Sequence, residues 1–277
     1  MDRYKTLTET IPWNSLGRET SAFRVGLSLV PVGILPFDPK PITDETQILS
    51  NKDPDYEQLL MSIVGTAIQG QRGKLVTCLH VVQDIVDKKK MGHILSRILR
   101  PGVMKCIPYG IGRVLKYIDP RSNAVNDAVD LAVLLVNPQP TLDMPYETPP
   151  VEWGDSTQLG IGDRIMVGGY PLGTDMFTVT ESNRGIIQPT FYDGIISAIL
   201  PAITETEPRL LQISIAAHGG MSGGAAFDPI SGKILGMITS GFTGDDGNAL
   251  PITYAIPSEV IVPYLQVISF QAGSEEF

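Results

Sequence analysis

The chain has 277 residues, 43% of them hydrophobic and 18% charged, which is enough apolar material for one large core or two of ordinary size. A formal net charge of −9 argues against a nucleic acid as the main partner, because its phosphates would need neutralising by an excess of cations that the chain does not carry. No apolar stretch reaches the roughly 18 residues of a membrane span, and Met1-Asp2-Arg3-Tyr4-Lys5 opens without the apolar segment of a secretory leader.

With 28 Gly and 22 Pro the chain is turn-rich, which suits many short strands. Residues 1–22 read as a polar lead-in, and the apolar run over 24–32 predicts a first strand. Residues 36–54 read as loop; strands follow near 61–68, 74–79, 103–108, 111–118 and 131–136, enough for a first barrel within residues 23–140. Between them Ile85, Ile94, Leu95, Ile98 and Leu99 suggest a short amphipathic helix carrying Lys88-Lys89-Lys90, a charge run better read as a solvated face than as a binding patch. His93 falls on that segment and is expected at the surface. Asn137-Pro138-Gln139-Pro140 through Pro149-Pro150 is the linker candidate. A second group of strands follows near 163–169, 175–180, 194–200, 210–215, 224–228, 233–240 and 252–256, placing a second unit over residues 141–258. Val260, Ile261, Tyr264, Leu265 and Ile268 have helical spacing in the closing segment, 259–277, where Pro263 would kink the helix or delay its start.

The chemistry-bearing stretch is His218-Gly219-Gly220-Met221-Ser222-Gly223-Gly224, a serine between glycine pairs. Such a serine can present its hydroxyl on a tight turn, but it needs a histidine base and an orienting carboxylate. Of the three histidines, His80 ends the apolar run Lys74-Leu75-Val76-Thr77-Cys78-Leu79-His80-Val81-Val82, and Asp130 opens Asp130-Leu131-Ala132-Val133-Leu134-Leu135-Val136 at the mouth of a buried strand. The order His80, Asp130, Ser222 discriminates between folds. Gly220-Met221-Ser222-Gly223-Gly224 also satisfies the nucleophile elbow of α/β-hydrolases, but those enzymes place histidine after serine, and no histidine follows Ser222. A subtilisin-like order would need an acid before His80, where Asp38, Asp44, Asp53 and Asp55 all lie in loop sequence. The bland reading, Asp130 as a strand cap and His80 as a core histidine, is weaker for the three residues together than for each alone.

That order resembles the trypsin-like serine peptidases, and the neighbouring words resemble their HtrA-type branch. The words are Val64-Gly65-Thr66-Ala67, Asp130-Leu131-Ala132-Val133-Leu134, Gly154-Asp155-Ser156, Gly162-Asp163-Arg164, Gly169-Tyr170-Pro171-Leu172-Gly173, Gly194-Ile195-Ile196-Ser197-Ala198, Ser222-Gly223-Gly224 and Tyr254-Ala255-Ile256-Pro257-Ser258, collinear over residues 61–258. The resemblance implies an all-β, two-barrel chymotrypsin/trypsin-like fold with a C-terminal helix and a cleft between the barrels. It implies a serine endopeptidase with His80, Asp130 and Ser222 as the triad and the N–H groups of Gly220 and Ser222 as the oxyanion hole. Ala216, six residues before the serine, would floor the specificity pocket and favour cleavage after small or medium aliphatic residues. Thr239, Ser240 and Gly241 would form the edge strand that binds an extended substrate. No cofactor or metal is implied, since two cysteines and three histidines offer no ligand spacing. The partner is a polypeptide substrate. A homotrimer is implied through N-terminal aromatic contacts, with Tyr4 and Trp13 as candidates.

Two cysteines point to a reduced, cytoplasmic chain, with Cys78 a small core residue rather than a disulfide partner of Cys106. The sequence departs from the family at Met221, where asparagine is common, and in an insertion-like stretch over residues 181–193; too few residues follow Ser258 for a PDZ domain. His218, four residues before Ser222, is placed to occlude or tune the cleft. The competing class is a catalytically idle protease fold used for binding or as a scaffold, which the intact triad argues against.

Overall fold

The computed structural model describes residues 20–35, 63–88, 91–100, 103–119, 124–126, 128–136, 148–172, 178–179, 185–186, 188–201 and 209–273. The described part of the chain opens with a helix, α1 (Ser21–Leu27), and only then with strand β1 (Leu29–Leu35), where the sequence predicts one strand over 24–32. The Thr20 hydroxyl caps α1 by accepting the Phe23 N–H at 3.2 Å. Ser21 and Val25, one turn apart, are buried, and the Ser21 hydroxyl donates to the Pro229 carbonyl. Tertiary contact decides the local conformation here, overriding a β-compatible sequence.

A first closed barrel joins β1, β2 (Ile63–Gln71), β3 (Lys74–Thr77), β8 (Ala132–Val136), β5 (Val103–Lys116) and β4 (Met91–Arg100), all antiparallel, in the order β1-β2-β3-β8-β5-β4. The two strands expected near 103–108 and 111–118 are one long β5. It bonds to β4 as far as Gly110 and to β8 from Ile111 onward, with an irregularity between Ile111 and Arg113, so one strand serves two neighbours. The short strands β6 (Ile118–Asp119) and β7 (Ala124–Val125) form a ribbon before β8.

Two expectations fail around β4. The strand expected over 74–79 stops at Thr77, and a helix, α2 (Leu79–Lys88), follows; the amphipathic helix expected to carry Ile94, Leu95, Ile98 and Leu99 is β4. His93, expected at the surface, is 1% exposed, and neither ring nitrogen has a hydrogen-bond partner among the described residues. The reason is that β4 is covered on both faces. Gly92 lies against Ile85 of α2, while His93 shares the opposite face with its register partners, Gly33 and Gly110. Burial pushes its pKa down to about 4, so it sits in the core as a neutral imidazole.

The second closed barrel joins β9 (Arg164–Gly169), β12 (Thr190–Leu200), β13 (Leu210–Ile213), β14 (Ala225–Phe227), β15 (Ile234–Thr243) and β16 (Ala249–Pro257) in the order β12-β13-β16-β15-β14-β9. Of the strand expected over 175–180, residues 178 and 179 are described, and they form β10 (Thr178–Val179), paired with β11 (Gly185–Ile186). The end of the insertion-like stretch belongs to β12, where Asp193 pairs with Arg164 of β9 at 2.8 Å.

Helix α3 (Ser258–Gly273) begins at Ser258 with Pro263 inside it, so proline neither delays its start nor ends it. Its Ile261, Tyr264, Leu265 and Ile268 pack into an apolar cluster that draws on both barrels, and the Tyr264 hydroxyl reaches the first barrel at the Lys116 carbonyl, with that of Leu115 at 3.2 Å. Each such fully buried aliphatic side chain contributes roughly 1.5–3 kcal/mol. At its first turn Glu259 pairs with Arg209 and accepts the Ser156 hydroxyl. A helix that follows the second barrel is thereby fastened to the first, and the barrels are held face to face. The fold is the expected two-barrel, all-β one with a C-terminal helix.

Candidate active site

His80 is the second residue of α2 rather than the end of a strand. The first N–H groups of a helix lack intrahelical acceptors, and that of His80 donates to Asp130 Oδ1 at 2.9 Å, fifty residues away in sequence. Asp130 therefore caps a helix whose positive end favours its charge. Its other oxygen, Oδ2, lies 2.7 Å from His80 Nδ1 and accepts the Thr239 hydroxyl at 2.6 Å. Burial by itself would raise the Asp130 pKa, but hydrogen bonds from the His80 ring, the Thr239 hydroxyl and the His80 N–H outweigh it and hold the carboxyl below its ordinary value. An ionised acceptor at Nδ1 fixes the proton on that nitrogen and leaves Nε2 as the ring's acceptor.

Beneath this pair lies Cys78, fully buried and free, its thiol donating to the Ile238 carbonyl at 3.1 Å. Cys78, His80 and Asp130 have ligand atoms within 4.8 Å of one another, the one such group found among the described residues. Burial, then the Asp130 charge, pushes the thiol pKa well up, so Cys78 keeps its proton and is a poor metal ligand.

Ser222 sits in the turn between β13 and β14. Its hydroxyl donates to the Thr239 carbonyl at 3.2 Å. Thr239 thus touches Asp130 with its side chain and Ser222 with its backbone, bringing residues of both barrels to one point. Gly220 and Gly223 have φ of 90° and 85°, which favour glycine. At Gly223 the requirement is absolute, since a Cβ there would lie 1.9 Å from the Thr66 carbonyl oxygen. Among the described residues, the N–H groups of Gly220 and Ser222 donate to no protein acceptor, although those of Met221 and Gly223 do.

The remaining candidates surround this point. β14 pairs with β15 only as far as Met237, so Ser240 and Gly241, both exposed, are bonded along one edge to β16 and carry no strand on the other among the described residues. Ala216 is half-buried; its neighbour Ala217 lies against Gly241, where a Cβ would meet the Ala217 carbonyl at 3.3 Å. His218 is exposed, and its carbonyl accepts the Met221 N–H at 3.1 Å; Met221 is wholly buried. Leu172, exposed and at φ 58°, donates its N–H to the Gly219 carbonyl at 2.6 Å. Tyr4, Trp13 and residues 181–184 lie outside the described residues. The sequence assigned Thr239 to substrate and carried no sign of its tie to Asp130; Thr239 ends the buried half of β15, and only the tertiary placement of Asp130 against it reveals the bond.

A family model for the trypsin-like peptidase domain matches residues 64–237. Among curated proteins, a probable periplasmic serine endoprotease DegP-like of Bartonella henselae is 35% identical over 130 residues, 47% of this chain and 22% of that protein. Its namesake in Brucella suis is 31% identical over 142 residues, 51% and 24% of the two chains. The chain thus matches under a quarter of the length of these relatives. A human peroxisomal leader peptide-processing protease is 37% identical over 83 residues, 29% of this chain and 14% of that protein. Among solved structures, an HtrA-type protease, AlgW, with a decapeptide superposes with a TM-score of 0.59 at 21% identity, covering 90% of this chain and 67% of the other. Deg5 superposes at 0.57 and 18% identity, covering 88% and 91%.

The cytoplasmic location expected above is overturned by the bacterial relatives, which are named periplasmic. The expectation leaned on a low cysteine count. Two closed barrels with extensive apolar cores supply the stability for which smaller domains in oxidising compartments rely on disulfides, so that count carries little information about compartment here.

Proposed function

The chain belongs to the trypsin-like peptidase domain family, and from that premise we propose that it is a serine endopeptidase of the HtrA type whose triad is Ser222, His80 and Asp130. The observation that carries this reading is the 2.7 Å contact of His80 Nδ1 with Asp130 Oδ2, made while the same carboxylate is tied through Thr239 to Ser222. The Ser222 hydroxyl, resting on the Thr239 carbonyl, turns by rotation about its Cα–Cβ bond toward His80 Nε2. It attacks the substrate carbonyl carbon as its proton passes to Nε2, and the ionised Asp130 stabilises the imidazolium. The free N–H groups of Gly220 and Ser222 receive the oxyanion, each worth about 100- to 1,000-fold in rate. Collapse expels the amine, which takes the proton from His80; water then repeats the sequence on the acyl-enzyme.

The substrate is a polypeptide bound as an added strand along Ser240 and Gly241. Ala216, uncharged and small, selects small or medium aliphatic residues before the scissile bond. The naming of the bacterial relatives supports a periplasmic location.

A serine-directed fluorophosphonate should label the protein, and Ser222→Ala and His80→Ala should each abolish labelling and lower peptide turnover by roughly a million-fold. Equal labelling of Ser222→Ala would place the reactive nucleophile elsewhere, and a wild type that neither labels nor cleaves peptide would end this reading in favour of an idle, binding fold. A fluorogenic peptide panel cleaved only after Lys or Arg would overturn the Ala216 assignment alone.

A further inference from the structure

We propose that Thr66 is a positioning residue for the oxyanion hole, its hydroxyl acting as the latch that keeps the nucleophile turn in the donating conformation; this rests on the reading of Ser222 above. A trans peptide points its C=O and N–H in opposite directions, so whatever holds a carbonyl also aims the N–H of the next residue. Around Ser222 four successive carbonyls are held. Gly219 O accepts the Leu172 N–H at 2.6 Å, Met221 O accepts the Gly224 N–H at 2.8 Å, and Ser222 O accepts the Thr66 N–H at 2.9 Å. The fourth, Gly220 O, accepts the Thr66 hydroxyl at 2.7 Å. Gly220 O belongs to the peptide that lies between those carrying the two free N–H groups. It is also the one carbonyl of the four held by a side chain.

Glycines at 219 and 220 give that peptide rotational freedom, and two bonds hold it: its N–H end, on Met221, donates to the His218 carbonyl at 3.1 Å within the same turn, and its C=O end is tied to the first barrel by the Thr66 hydroxyl. Thr66 is suited to the task. Its hydroxyl accepts the Tyr170 N–H at 3.0 Å, and the one proton it has to give goes to Gly220 O. Its backbone is anchored in β2, with its carbonyl accepting the Thr77 hydroxyl at 2.7 Å, and the residue is wholly buried. The close approach of its carbonyl to residue 223 is what the missing Cβ of Gly223 permits. The shape of a hole built from second-barrel N–H groups is therefore set from β2, a strand of the first barrel.

The test compares the wild type with Thr66→Val, which keeps the shape and deletes the hydroxyl, Thr66→Ala, and Thr66→Ser, which restores it. Three readouts apply: kcat and KM on an aliphatic fluorogenic peptide, inhibition by a peptide boronic acid that mimics the tetrahedral adduct, and the melting temperature. Thr66→Val and Thr66→Ala should lose about 100-fold in kcat and weaken boronate binding by a similar factor, with KM within about twofold. Thr66→Ser should recover most of both. Unchanged kcat in a folded Thr66→Val and Thr66→Ala overturns the proposal while leaving the nucleophile assignment intact, as does a loss confined to KM or one that Thr66→Ser does not rescue. Failure of both hydroxyl-free variants to fold assigns Thr66 a purely structural part and overturns it too. A wild type inert to fluorophosphonate and peptide alike refutes the reading of Ser222 itself, and this inference with it.

Discussion

The acid–base half of the site and the nucleophile half are built from different materials. His80 and Asp130 hold each other through side chains, with one backbone N–H, across fifty residues of sequence. Residues 218–224 are held almost wholly by their own backbone groups, with glycines at positive φ and a buried Met221 beneath them. The difference teaches where each half is vulnerable. A side-chain pair can be changed in chemistry without moving the chain, because α2 and β8 are fixed by their own barrel. A backbone lattice is indifferent to many side chains but intolerant of any that displaces a carbonyl.

The largest effect expected from this contrast is at Asp130. Asp130→Asn should lower kcat by about 10,000-fold, because an amide no longer enforces the proton on Nδ1 of His80, while the melting temperature falls little. A drop in stability as large as the loss of activity would erase the distinction between the halves. Next comes Gly223→Ala. Its Cβ would meet the Thr66 carbonyl at 1.9 Å and must adopt φ 85°, so roughly 3 kcal/mol or more of stability should go together with activity in urea unfolding. An unchanged urea midpoint would show that the turn is looser than a lattice.

The smallest effect contrasts the site with the core beside it. His93 titrates at about 4 when folded against an ordinary 6.5. The unfolded chain therefore binds the proton more readily, and stability declines as pH falls from 6.5 toward 4, by up to about 3 kcal/mol. His93→Leu should flatten that acid limb while leaving the labelling of Ser222 at pH 7 untouched. An unaltered pH–stability profile would show that His93 is not the group responsible. Asp130 acts in its own range: its lowered pKa stabilises the fold above the ordinary carboxylate value and is lost as pH falls through the lower, folded one.

Much of the architecture was legible in the residues. Most strands fell near their predicted places, and the order of His80, Asp130 and Ser222 selected the fold before any coordinates. What misled was local pattern. The run ending at His80 reads as a strand because Val76 and Thr77 are β-branched, yet the chain turns helical at Leu79, where Asp130 accepts the helix's first free N–H. Ile94, Leu95, Ile98 and Leu99 have the spacing of an amphipathic helix, but β4 is buried on both faces from Gly92 to Leu95, and such a strand loses the alternation that would identify it. The hydroxyl roles of Thr66 and Thr239 gave no signal, since a threonine in a strand is ordinary and its hydroxyl's partner lies in the other barrel.

By itself the sequence determined the fold class, the family and the chemical types available at the site, because spacing, glycine placement and residue order are properties of a line. Tertiary structure alone decided which hydroxyl meets which carbonyl, that His93 is core, and that a strand of the first barrel grips the turn of the second. Those facts depend on directions and distances between segments far apart in the chain, which close packing fixes only when both barrels are assembled.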